Sequence, residues 1–181
     1  MSLVSEVNVQ IDSQRLYEEY LMVKEIADEI NSKKNSFSND IQYVLRILCD
    51  DMYPDWIPHQ DMQHTLKLID DVKTIHNNIT QVNYRVIKPS SNYTEHIDQG
   101  RFGPMTFHAP IKTNPSCYFC YPQVPWSEQQ MFQLQVDKVY MCAVNKPHTF
   151  MNAGLEDRVH IHLHGDDTLR SGHATQDLVH H

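Results

Sequence analysis

The sequence predicts an α+β protein, mainly β: a sandwich or jelly roll with N-terminal helices packed on one of its sheets. Three observations lead there. Apolar residues recur at helical spacing through the first part of the chain, 1–80. From residue 81 the period drops to two, as it does on a strand with two unlike faces. Short extended runs then follow one another, separated by turn residues, which is the pattern of antiparallel β-architectures.

In chain order, a short alternating stretch from Leu3 to Ile11 precedes Asp12 and Ser13, either of which can cap a helix. Leu16, Tyr20, Val23, Ala27 and Ile30 form the apolar stripe of that helix, and Lys33-Lys34-Asn35-Ser36 ends it. Ser38 or Asn39 then caps a second predicted helix, with Ile41, Val44, Leu45, Leu48 and Met52 on one side. Pro54 to Pro58 breaks the chain before a third helix, on which Met62, Leu66, Ile69 and Val72 align. Val82, Tyr84 and Val86 alternate with polar neighbours as a first long strand. Further extended runs are expected at 104–112, 116–121, 130–136, 138–144 and 157–164. Asn114-Pro115, Tyr121-Pro122 and Asn152-Ala153-Gly154 supply turns. The chain of 181 residues fits one domain over 1–165, with 1–80 as mainly helical support and 81–165 as a β core. A polar tail follows at 166–181.

Hydrophobic residues make up 40% and charged residues 21%, as in ordinary globular proteins. The formal charge of −8 is opposite to the basic footprint of a nucleic-acid binder, so no nucleic-acid partner is expected. No apolar run approaches the roughly 18 residues that cross a bilayer, and the first residues lack the pattern of a secretory leader. The expectation is therefore a cytoplasmic protein with no membrane partner and with reduced thiols at Cys49, Cys117, Cys120 and Cys142. Cys117 and Cys120 stand three apart in a β-rich run, on opposite faces, which is unsuited to chelating one metal.

The unusual feature is histidine, of which there are 12 against 5 glycines. Two imidazoles and a carboxylate on one face of a metal leave positions open, the arrangement of non-haem Fe(II) oxygenases. Its sequence form is His-x-Asp/Glu with a second, distant His. In so histidine-rich a chain about 1.5 such pairs arise by chance, and three occur: His59-Gln-Asp61, His96-Ile-Asp98 and His164-Gly-Asp166. A second requirement separates them. A keto-diacid such as 2-oxoglutarate chelates iron at one end and needs a fixed cation at the other, best an arginine fork. His148 and Arg158, ten residues apart across the Asn152-Ala-Gly154 turn, meet that need inside the β half. His160 and Arg170 share the spacing, but Arg170 falls in the polar tail, and His59-Gln-Asp61 falls at a helix start.

Three runs then resemble the aspartyl/asparaginyl β-hydroxylase family, most closely its proline hydroxylase-like members. They are Tyr84-Arg-Val-Ile-Lys-Pro-Ser-Ser-Asn-Tyr-Thr-Glu-His96-Ile-Asp98, Phe107-His-Ala-Pro-Ile-Lys-Thr-Asn114-Pro and His148-Thr-Phe-Met-Asn152-Ala-Gly-Leu-Glu-Asp-Arg158-Val-His160, all within residues 82–164. The resemblance implies a double-stranded β-helix (jelly roll, cupin-like), Fe(II), 2-oxoglutarate and O2, and hydroxylation of an amino-acid side chain. The substrate would be a small molecule or a peptide. It implies His96, Asp98 and His148 as iron ligands, Arg158 on the distal carboxylate, and His108 near the iron-chelating carboxylate. Arg85 falls where some members place a small polar contact to the distal carboxylate. Two positions depart from the family: Thr106 stands where several members carry a co-substrate arginine, and Asp137-Lys138 replaces a Gly-Glu turn. Arg85 is a candidate to compensate for the first.

His160, His162 and His164 share the parity of Arg158 and should point into the barrel. His160 is expected beside the metal or co-substrate, and Trp126 is a candidate to close over substrate. Two alternatives remain at this stage. One is a cupin-type metal-dependent isomerase or dioxygenase using His160 and His162 without 2-oxoglutarate; the other is a degenerate, ligand-binding jelly roll. Neither the substrate nor the oligomeric state follows from the sequence.

Overall fold

The structure, a computed structural model, describes residues 2–33, 42–48, 62–98, 105–122 and 129–165. Trp126, Arg170, His59, Asp61 and the 166–181 tail lie outside the described residues.

Helix α1 spans Ser13–Lys33. Asp12 caps it, its Oδ1 accepting from the Arg15 backbone N–H at 3.0 Å. Leu16 and Tyr20 are buried, each 1% exposed; the side chains of Val23, Ala27 and Ile30 lie outside the description. Helix α2 spans Gln63–Lys73, with Ile69 and Val72 in the core as their spacing predicts. Its first turn is closed from a distance. The Glu19 carboxylate of α1 accepts from the backbone N–H groups of His64 (2.7 Å) and Thr65 (2.9 Å) and from the Thr65 hydroxyl (2.7 Å). That carboxylate satisfies donors a helix start otherwise leaves open and locks the two helices together.

Among the described residues ten strands form two antiparallel sheets. Strands β1 (Val4–Val7), β2 (Gln42–Leu48), β3 (Ile79–Ile87), β5 (Met105–Lys112), β8 (Val139–Ala143) and β10 (Arg158–Gly165) make the six-stranded sheet, in the order β1-β8-β5-β10-β3-β2. Strands β4 (Ser91–Asn92), β6 (Cys117–Tyr121), β7 (Gln130–Phe132) and β9 (Thr149–Asn152) make the second, in the order β4-β9-β6-β7. This is the two-sheet jelly roll that the strand pattern predicts.

The alternation of β10 shows how the sheets divide the core. Val159, Ile161 and Leu163 join Val82, Tyr84, Val86, Phe107 and Ala109 against the helices, through Leu16, Tyr20, Leu68 and Val72. Burying such side chains contributes roughly 1.5–3 kcal/mol each. The opposite parity carries Arg158, His160, His162 and His164 between the sheets, all buried. Register places Arg85 opposite His160 on β3, and His108 opposite His162 on β5. Both faces of β10 are therefore covered, one dry and apolar, the other polar.

The structure departs from expectation in three places. The second predicted helix is strand β2, paired with β3 from Gln42↔Ile87 to Leu48↔Val82. Apolar residues at 41, 44, 45 and 48 fit a helix period, but the free edge of β3 offers a complete hydrogen-bond ladder, and tertiary pairing overrides so short a periodic signal. The 149–152 segment, where no strand is expected and Asn152 is read as turn material, is strand β9, pinned between β4 and β6. The run at 130–136 is shorter than expected, ending at Phe132.

The departure at Asp137 has a local explanation. Its φ of 61° lies in the left-handed region that favours glycine. Aspartate tolerates this conformation better than most residues, and here it gains partners: Oδ1 accepts from Ser13 N–H at 2.9 Å, while its own N–H donates to the Ser13 hydroxyl at 2.7 Å. The turn residue thus helps hold the start of α1.

Candidate metal centre

His96, Asp98 and His148 come together at the mouth between the sheets, with ligand atoms within 4.8 Å of one another. A two-way backbone bridge sets them: His96 N–H donates to His148 C=O at 3.0 Å, and His148 N–H donates to His96 C=O at 2.9 Å. The Asp98 N–H donates to Val144 C=O at 2.9 Å, fixing the third member. Each imidazole then bonds a carbonyl two residues back, His96 Nδ1 to Thr94 O and His148 Nδ1 to Lys146 O, both at 2.9 Å. A carbonyl only accepts, so in each ring the proton sits on Nδ1 and the Nε2 lone pair is left for a metal. His96 Nε2 lies 3.4 Å from Asp98 Oδ1.

The electrostatics are mixed. Burial opposes charging His96, but the bonds to Asp98 and the Thr94 carbonyl outweigh it and hold the imidazole above its ordinary range. Burial dominates at His148 and pushes it below that range. Burial likewise opposes ionising Asp98, yet its neighbours His96 and His148 keep the carboxyl lowered, so it is a carboxylate.

The triad lines a small cavity of about 20 Å³, walled also by Tyr93, Arg85, Thr106, His108, Phe150 and His162. That is room for one or two waters. Behind the wall, Arg158 is 1% exposed. Its Nη2 donates to His160 Nδ1 at 3.0 Å and its guanidinium lies 5.0 Å from the centroid of the Phe150 ring. Among the described residues its Nη1 has no partner, nor have His160 Nε2, His162 Nε2 or either ring nitrogen of His108. Burial pushes Arg158 down to about 10, and pushes His108, His160 and His162 well below the usual histidine range. The donor set of the triad suits a metal such as iron. The uncompensated guanidinium suits an anion.

The structure therefore brings together His96, Asp98 and His148, places Arg85 and His108 on the cavity wall, and sets Arg158 with His160 deeper in the same interior. Thr106 shares the wall with Arg85 and meets His164 Nδ1 through its hydroxyl at 3.3 Å. Sequence reasoning passed over Phe150, two after His148 on the same strand face, and Tyr93, which stands edge-on to His96 at 4.8 Å. It gave His162 a metal role only in the cupin-type alternative, together with His160; in the structure His108, His160 and His162 form a second group with ligand atoms within 4.8 Å. The shared parity with Arg158 was the signal. It also passed over Asn152, fully buried, which donates to Ile87 O (3.0 Å) and Glu156 O (2.7 Å) while accepting from Asn114 and Gly154. Asn152 ties the loop between β9 and β10, and so positions Arg158.

The topology is the double-stranded β-helix of the 2-oxoglutarate- and Fe(II)-dependent oxygenases. The similar solved structures include a Pseudomonas putida prolyl-4-hydroxylase, at 9% identity and TM-score 0.59, covering 91% of this chain and 92% of that one. A Trichoplax adhaerens prolyl hydroxylase, solved with a hypoxia-inducible-factor peptide fragment, has 13% identity and TM-score 0.59, covering 95% and 87%. A Burkholderia pseudomallei oxidoreductase of the 2-oxoglutarate–Fe(II) oxygenase family has 11% identity and TM-score 0.54, covering 90% and 95%. No family model matches the sequence, and no curated protein matches it. Among the described residues no helix is long and apolar enough to cross a membrane.

Proposed function

We propose that this chain is an Fe(II)- and 2-oxoglutarate-dependent dioxygenase that hydroxylates an amino-acid side chain, free or within a peptide. Within that fold we assign it to the aspartyl/asparaginyl β-hydroxylase type, proline hydroxylase-like. The observation that carries the reading is the pair of imidazoles fixed through Nδ1, which leaves two Nε2 lone pairs and the Asp98 carboxylate for one metal. Three protein ligands leave positions open for co-substrate and O2. Held by His96, Asp98 and His148, iron with a bound keto acid would supply the oxidising chemistry, with O2 consumed and succinate and carbon dioxide released.

The protein's own residues do the rest. Arg158 would hold the distal carboxylate of the keto acid; its burial, with Nη1 unpartnered among the described residues, supports this. His108, with both ring nitrogens unpartnered, faces the iron-chelating end. Arg85 lines the cavity as a second cation near the metal. The wall of Phe150, Tyr93 and Val144 excludes water. A keto-diacid of ten heavy atoms exceeds a 20 Å³ cavity, so the rings between the triad and Arg158 must turn aside to admit it. The peptide fragment bound to the Trichoplax enzyme makes a peptidyl substrate a natural candidate.

A second reading has its own observation: the group His108, His160 and His162 is the three-histidine site a cupin-type enzyme would use. Two facts weigh against it. Arg158 donates to His160 Nδ1, so the neutral ring carries its proton on Nε2 and offers no lone pair. A dication would also sit beside an uncompensated buried guanidinium, a repulsion of several kcal/mol at contact distances.

The test measures succinate formed from 2-oxoglutarate with Fe(II) and ascorbate across amino acids and peptides, in wild type and in Arg158→Ala. Turnover that falls sharply in the variant is expected. Turnover indifferent to Arg158 would remove its role, and iron binding without turnover on any substrate would favour a ligand-binding jelly roll.

A further inference from the structure

Strand β3 carries a polar pair that the metal centre does not use. Val82, Tyr84 and Val86 pack towards the helices, so Gln81 and Asn83 face the space between the sheets, as Arg85 does. They are 8% and 0% exposed. Gln81 Nε2 donates to Asn83 Oδ1 at 3.2 Å. Among the described residues, Gln81 Oε1 and Asn83 Nδ2 meet no partner. The outcome does not depend on how the two amides are turned. One N–H···O=C bond between them always leaves a carbonyl oxygen on one residue and an amino group on the other. Buried groups of this kind are rarely left unpaired.

Register sets their place relative to the metal centre. His108, His162 and Asn83 form one row across β5, β10 and β3, and Thr106, His164 and Gln81 form the next. The first two members of each row line the cavity at the triad, whereas His160 and Arg158 do not. The triad is therefore level with Asn83 and Gln81, and Arg158 stands at the opposite end of β10. A co-substrate reaching from the metal to Arg158 takes one direction along that strand. The other direction, past His164 and Gln81 to the end of β10 at Gly165, is left for the substrate.

We propose that Gln81 and Asn83 form a main-chain subsite for a peptide substrate, with Asn83 Nδ2–H donating to a backbone carbonyl and Gln81 Oε1 accepting from a backbone N–H. The inference rests on the proposed oxygenase function for the direction the substrate takes, and deepens it by selecting a peptide over a free amino acid. The two residues stand two apart on a strand, roughly 6–7 Å, so one carboxamide does not serve both open atoms. An extended chain does, because it turns N–H and C=O to the same side at every second residue. A free amino acid instead brings an ammonium group, for which neither neutral amide supplies a countercharge. Reaching Asn83 requires the ring of His162 to turn, as entry of the keto acid requires of its neighbours.

The experiment is calorimetric titration, without oxygen, of protein loaded with Fe(II) and 2-oxoglutarate. The probes are acetyl-Gly-Xaa-Gly-amide tripeptides covering the standard side chains, and the corresponding free amino acids. At least one blocked tripeptide is expected to bind tenfold or more tightly than its free amino acid. Asn83→Leu and Gln81→Met, which keep shape and remove the amides, should each weaken that tripeptide roughly tenfold and leave 2-oxoglutarate affinity unchanged. Should Asn83→Leu not fold, Gln81→Met is judged alone by the same criterion. A free amino acid that binds as tightly as its tripeptide overturns the subsite. Parallel loss of 2-oxoglutarate affinity in the variants also overturns it, because the pair then only supports the barrel. Unchanged tripeptide affinity in the variants, or no tripeptide binding to protein that binds 2-oxoglutarate, overturns the subsite and leaves the oxygenase reading standing. Tripeptide binding that depends on Gln81 and Asn83 in protein that does not take 2-oxoglutarate leaves the subsite standing and removes the oxygenase reading.

Discussion

The backbones of His96 and His148 hydrogen-bond to each other twice, N–H to C=O in both directions, at 3.0 and 2.9 Å, across 52 residues of sequence. The two imidazoles are consequently placed by main chain, with ring centroids 4.3 Å apart, and owe little to flexible side-chain packing. Removing either ring should leave the bridge in place. His96→Ala and His148→Ala are therefore expected to fold, with unfolding temperatures near wild type in the metal-free state. Metal affinity should fall by more than about 100-fold, beyond what loss of an outer-shell partner brings. Metal content per chain after loading and dialysis measures this, and a fully loaded His148→Ala would refute the ligand assignment.

Acid should destabilise the protein steeply. Burial holds His108, His160 and His162 well below the ordinary histidine range, and His164 at about 3. Their unfolded value is about 6.5. Below that pH the unfolded chain takes up protons the folded chain refuses, so stability is lost as pH falls, by up to about 1.4 kcal/mol per pH unit for each such histidine. Urea unfolding of the metal-free protein between pH 7.5 and 5.5 should show a clear decline beginning near pH 6.5. A flat profile would mean the row is hydrated and titrates normally.

Arg158→Met should separate stability from function. Among the described residues no carboxylate pairs with the buried wild-type guanidinium, and an apolar side chain of similar length removes the cost of burying it. Ligand-free Arg158→Met is expected to be more stable than wild type by about 1–3 kcal/mol, less whatever the Phe150 contact contributes. Stabilisation by added 2-oxoglutarate should vanish. Thermal melts with and without the diacid report both effects, and a destabilised ligand-free variant would show that Arg158 is compensated after all.

At Asp137 two substitutions should diverge. Glycine relieves the left-handed backbone but loses the bond to Ser13 N–H, two effects of about 1 kcal/mol and opposite sign, so Asp137→Gly should be near neutral. Asp137→Ala loses the bond and keeps the strain, and should cost about 2 kcal/mol. Chemical denaturation measures the difference; equal stabilities would show that the turn is unstrained.

Local pattern made much of this protein legible. Helices α1 and α2 and strands β3, β5, β6, β8 and β10 follow from apolar period and caps, because that period is carried by each segment's own residues. Strand parity alone placed Arg158, His160, His162 and His164 on one face. Spacing separated His96-Ile-Asp98 from its chance competitors only when joined to His148 and Arg158.

What the tertiary structure decided depends on partners far apart in the chain. Strand β2 exists because β3 has an edge to offer, and β9 because β4 and β6 flank it. Asn152 reads as a turn residue and is in fact the buried knot between Ile87 and Glu156. The hydrogen bonds that fix the tautomers of His96, His148 and His160 come from individual carbonyls and from one guanidinium. Sequence determined which residues share a face. Only the folded chain decided which of their atoms are left unpaired, because hydrogen-bond satisfaction is a property of what surrounds a group, and most of those surroundings come from elsewhere in the chain.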